Sequence, residues 1–105
     1  MLESLEKMLA KGVDNSLLRF GLGKGYLDLG DNLKAAEHLQ RCVGFDPKYS
    51  AAWKLLGKAL AENGERQAAI DAYEAGIRIA QARGDIQAAK EMNVFARRLR
   101  KAAEA

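Results

Sequence analysis

Two stretches of this chain, residues 16–47 and 50–81, carry the same small and apolar residues in the same order at a separation of 34 positions. Leu22-Gly23-Lys24 recurs as Leu56-Gly57-Lys58, Gly30 recurs as Gly64, and Ala35 recurs as Ala69. A unit of this length cannot bury its own apolar face, so a chain that repeats it must stack the units against each other. The glycines sharpen the inference. Within an exposed helix each costs about 1 kcal/mol relative to alanine, because it loses the most backbone freedom and packs no side chain. A glycine repeated in register inside "WKLLGKAL" is therefore expected where two helices approach closely enough to exclude a Cβ.

Strand formers are sparse beside Ala, Leu, Lys, Glu and Arg, and proline occurs once, at Pro47, so the units are helical. Their pattern resembles the tetratricopeptide repeat, a helix-turn-helix unit. The second copy matches with Trp53, Leu56, Gly57, Leu60, Gly64, Ala69 and Tyr73, and the first with Leu22, Gly23, Tyr26, Gly30, Ala35 and Pro47. The first copy departs in having Arg19 for the expected Trp, Leu39 for an aromatic and Cys42 for a later alanine. In the second, Gly76 replaces that alanine and Gln81 the proline, which lets the helix run past its usual stop. The resemblance implies an all-α fold, an α-α superhelix of helix-turn-helix repeats with about six helices.

The chain reads as one domain, 1–105. An N-terminal helix occupies 1–13, with Leu2, Leu5, Met8 and Leu9 on one face, Gly12 as its stop, and Asp14 or Asn15 as the next N-cap. Repeat 1 spans 16–49 and repeat 2 spans 50–83. Gly84-Asp85 with Ala89 repeats the spacing of Gly64-Glu65 with Ala69, and introduces a capping helix over 84–105 whose apolar stripe is Ile86, Ala89, Met92, Ala96 and Leu99.

Nothing in the chain supports catalysis. Gly21, Gly23 and Gly25 imitate a nucleotide loop, but Tyr26 stands where a dinucleotide fingerprint needs its third glycine, and no strand precedes them. His38 and Cys42 lie one helical turn apart, yet two ligands do not make a zinc site. Cys42 reads as core and His38 as a surface residue. No cofactor and no metal are expected, and the chain is not expected to be an enzyme.

The single cysteine allows no internal disulfide, and the opening "MLESLEKMLA" is neither a signal peptide nor a membrane span, so the expected setting is cytoplasmic, without membrane association. A net charge of +3 is too small to indicate nucleic acid. The cluster Arg97, Arg98, Arg100 and Lys101 is read as a solvated face with cations near a helix C-terminus; binding of nucleic acid there is the weaker alternative.

The resemblance implies that the first helix of each repeat lines a concave groove for another protein's peptide or helix. The groove positions are then Leu17, Phe20, Lys24, Leu27 and Asp28 in the first unit, and Ala51, Lys54, Lys58, Ala61 and Glu62 in the second. Lys54 and Lys58 share a face, and Lys24 is the equivalent of Lys58. A basic groove with Phe20 as apolar anchor suits a partner segment that is acidic and hydrophobic. The carboxylate clamp of chaperone-binding relatives is not expected, since Phe20, Lys24 and Leu55 stand where its Lys and two Asn would be. The chain is thus expected to be a protein-binding adaptor or scaffold, with self-association as a structural module the principal alternative.

Overall fold

In a computed structural model, which describes residues 1–104, the chain forms six helices: α1 (Leu2–Ala10), α2 (Ser16–Asp28), α3 (Asn32–Phe45), α4 (Ser50–Glu62), α5 (Arg66–Ala82) and α6 (Ile86–Glu104). The last position of the expected capping segment, Ala105, lies outside the described residues. The helices close where the sequence demands it. Gly30, Gly64 and Gly84 take φ of +81°, +79° and +77°, a backbone conformation that costs a residue with a Cβ about 1 kcal/mol or more, and each ends a helix. Of the two N-cap candidates for α2, Asn15 is the one used, accepting from the Leu18 amide at 2.8 Å.

Each helix packs on its sequence neighbour. Helix α2 also touches α4, and α4 touches α6, whereas among the described residues the backbones of α1, α3 and α5 stay apart, with α1 reaching α3 through the Glu6 carboxylate 4.0 Å from His38 Nε2. One layer is therefore crowded and the other splayed, which curves the stack so that α2, α4 and α6 form its inner side.

The helical glycines mark the close approaches. A Cβ on Gly23 would meet the Leu39 side chain, one on Gly57 would stand 2.5 Å from the Tyr73 ring, and one on Gly76 would stand 2.5 Å from the Met92 sulfur and 2.8 Å from Trp53 Cβ. In all three the main obstacle lies sixteen positions downstream, so one packing solution recurs between α2 and α3, α4 and α5, and α5 and α6. Gly21 and Gly25 serve another face of α2, receiving Leu5 and Leu2 of α1. The three glycines of "FGLGKGY" thus seat two different helices.

One core cluster gathers Leu39, Val43, Ala52 and Leu56 from α3 and α4, and a second gathers Tyr73, Ala80, Met92 and Ala96 from α5 and α6. At about 25 cal/mol per Å2 of apolar area, each fully buried Leu or Met contributes about 1.5–3 kcal/mol. Two details differ from the sequence reading. Ile86, placed on the buried stripe, is 57% exposed in the first turn of α6. Met8 is also exposed, and α1 as a whole buries no residue fully.

Candidate functional site

The inner side of the stack carries an apolar cleft of about 450 Å3 between α4 and α6. Lys54, Leu55, Lys58, Ala61 and Glu62 form the α4 wall, Phe95, Arg98 and Leu99 the α6 wall, and Tyr73 of α5 the floor. Tyr73 is only 3% exposed; its ring lies over Gly57 and meets Phe95 at a centroid distance of 5.6 Å. Without Gly57 the ring could not sink this far, so the helix-weakening glycine shapes the cleft floor. Burial, with a smaller contribution from the Glu62 carboxylate, pushes the Tyr73 phenol up to about 12, so it stays neutral at physiological pH.

Four of the ten groove positions read from the sequence, Lys54, Lys58, Ala61 and Glu62, meet in this cleft. The α2 positions do not line it. Lys24 and Asp28 are exposed on α2, Leu17 is 73% exposed, and Ala51 is exposed at the start of α4. Leu27 packs partly buried against the α3 and α4 core. Phe20 packs there too, stacked on Tyr49 with ring centroids 4.7 Å apart. Its half-buried ring is therefore engaged in an internal contact, away from the α4–α6 cleft.

The sequence reading missed the contribution of α6, treating it only as a cap. Phe95, Arg98 and Leu99 enter the site because α6 stands beside α4 where the first helix of a third unit would stand. The signal was present in Gly84-Asp85, which places the start of α6 close to one period beyond the start of α4.

The charges of the cleft are unequal. Lys54 Nζ lies 2.9 Å from Glu91 Oε2, so α6 neutralises it. Lys58, Arg98 and Glu62 have no ion-pair partner among the described residues. The basic cluster of α6 is also divided: Arg98 faces the cleft, Arg100 pairs with Glu74, and Arg97 and Lys101 are exposed.

A second polar cluster sits away from the cleft, where α1, α2 and α3 meet. Arg19 holds Asp14 through Nε at 2.7 Å and Nη2 at 2.8 Å, and its Nη1 lies 3.1 Å from His38 Nδ1. Trp53, the repeat equivalent of Arg19, likewise reaches back to the loop before its helix, donating from Nε1 to the Pro47 carbonyl at 2.7 Å. Arginine thus replaces tryptophan by a different bond to the same place. His38 is not the surface residue the sequence suggested. Its side chain is 12% exposed and its ring stacks on Tyr26, because the α2–α3 contact and Arg19 enclose it. Burial first, then Arg19, holds its pKa below the usual histidine value. Cys42 is fully buried, with Sγ 3.2 Å from the Ser16 carbonyl, and burial pushes its thiol up to about 11. Among the described residues no group of three or more His, Cys, Asp or Glu could hold a metal ion, and no helix is long and apolar enough to cross a membrane.

Comparison with known proteins agrees with this architecture. Residues 26–92 match the tetratricopeptide repeat family. The chain is 66% identical over 102 residues to a TPR repeat-containing protein of Pseudomonas aeruginosa, covering 97% of each. It is 42% identical over 52 residues to a heat-shock protein cognate co-chaperone of Aspergillus fumigatus, covering 50% of this chain and 15% of that one. The solution structure of a Bordetella parapertussis protein, 50% identical, superposes with a TM-score of 0.81 over 96% of this chain and 88% of its own. The crystal structure of MamA, 26% identical, superposes with a TM-score of 0.68 over 95% of this chain and 58% of its own. The repeated glycines, the curved stack of six helices and these likenesses have one meaning: the chain belongs to the tetratricopeptide repeat family.

Proposed function

We propose that this protein is an adaptor that holds a segment of another protein on the inner side of its helical stack, in the cleft between α4 and α6. Tetratricopeptide repeats are a non-catalytic fold that generally serves in protein–protein interaction, and the observation that carries the reading here is the cleft itself. It has an apolar lining of Tyr73, Leu55 and Phe95, and it is bordered by the cations Lys58 and Arg98, unpaired among the described residues. Exposed apolar surface bordered by charge is costly to leave wet and marks a docking place. Its small size suits a modest affinity, since area converts poorly into binding energy once ordering is counted. The cytoplasmic setting expected from the sequence is part of the same proposal.

The test is capture of partners with the full chain, followed by measurement with the purified partner. Lys58→Glu is exposed and should leave helicity intact while weakening the complex about tenfold or more. Unchanged affinity would move the binding surface elsewhere, and a mass that rises with concentration in the absence of partner would favour self-association.

A further inference from the structure

The charges around the cleft differ from turn to turn along α4, and that difference selects a ligand chemistry. Lys54, Lys58 and Glu62 follow at four-residue steps and therefore share one face. Lys54 is already neutralised by Glu91, and Glu62 would repel an acid, so only the turn of Lys58 has unspent positive charge. Arg98 supplies a second cation from the opposite wall. A carboxylate between these two would gain charge-assisted hydrogen bonds beside an apolar surface, where they are stronger than in open water. The cleft volume, about 450 Å3, is at the lower end of the range for small-ligand sites and suits a large side chain with its neighbours better than a whole helix.

We propose that the α4–α6 cleft takes a partner segment in which a bulky apolar side chain stands next to a carboxylate. The apolar group enters between Leu55, Tyr73 and Leu99, and the carboxylate bridges Lys58 and Arg98. This rests on the adaptor reading and adds to it the partner's chemistry and its register along α4. The ion pair of Lys54 with Glu91 holds the two walls and takes no part in recognition.

The experiment is a titration of the 15N-labelled full chain with the capped hexapeptide Gly-Ser-Phe-Asp-Ser-Gly. Two control peptides replace its Phe by Ala or its Asp by Lys. The expected result is amide shifts confined to the Leu55, Lys58, Arg98 and Leu99 region, with binding about tenfold weaker for either control. The Lys58→Glu, Arg98→Glu double variant alters exposed residues, so its helicity should be unchanged, and it should prefer the lysine peptide instead. Equal binding of all three peptides, or shifts on another face, would overturn the proposal. So would shifts of the same amides with protein concentration alone, which would assign the cleft to a second copy. A captured partner protein that still binds the double variant would overturn the cleft chemistry while leaving the adaptor reading in place.

Discussion

Lys54 of α4 and Glu91 of α6 are joined by an ion pair of 2.9 Å that ties the two walls of the cleft together across 37 positions of sequence. Both side chains are about one-third exposed, at 34% and 39%, so solvent screens the pair and its contribution is at most about 1 kcal/mol. Lys54→Ala should therefore lower stability by about 0.5 kcal/mol in urea unfolding, and Lys54→Glu by more. The exchanged pair, Lys54→Glu with Glu91→Lys, should recover most of the loss. If the exchange recovers nothing, the contact does not hold the walls.

The glycines offer a sharper contrast. Gly57→Ala gains helix propensity but drives a methyl into the buried Tyr73 ring, and the expected net effect is a loss of about 1–3 kcal/mol. Gly44 is also helical, with nothing within 4 Å of its Cβ position, so Gly44→Ala should stabilise by about 0.5–1 kcal/mol. Opposite signs in denaturant midpoints are the expected result, and the same sign for both would contradict the close-approach explanation.

Acid should weaken the junction of α1, α2 and α3 in two steps. His38 has a folded pKa below the unfolded value near 6.5, so the unfolded chain takes up its proton first, and stability falls as pH drops below about 6.5. Arg19, Glu6, Glu37 and Asp14 surround it, and Arg19 reinforces the depression that burial begins. The Arg19 hydrogen bonds lower the Asp14 pKa, so the stability they supply is full above pH 3.8 and is lost as pH falls through the depressed value. His38→Gln should flatten the first step. Arg19→Ala should lower the melting temperature at neutral pH, with a deficit that shrinks in strong acid. A histidine ring titrating above 6.5 by NMR would reverse the sign of the first step.

Cys42 should be chemically silent in the folded protein. Its thiol is fully buried and titrates at about 11, so at pH 8 almost none is thiolate. Labelling with an aromatic disulfide should proceed no faster than opening of α3, and should become rapid in denaturant. Fast labelling in native buffer would show that the contact of α2 and α3 is open.

The sequence by itself determined the stack. Leu22 and Leu56, Ala35 and Ala69 recur as buried residues, and Gly23 and Gly57 recur because each meets the side chain sixteen positions downstream in its own helix pair, a short, constant distance along the chain. Period and residue size therefore disclose them. The ends of the helices were legible for the same local reason, since Gly30, Gly64 and Gly84 take a backbone conformation that depends on their own φ. The site was legible only in part. Lys58 and Glu62 could be placed on one face of α4, but whether a face is open depends on what stands opposite, and that is a matter of three-dimensional position. Only the tertiary structure set Glu91 against Lys54, Tyr49 against Phe20, and Tyr26 and Arg19 against His38. It alone also brought Phe95, Arg98 and Leu99 to the α4 wall, because residues 33 or more positions apart meet there through the packing of α5 on both helices, which no local pattern encodes.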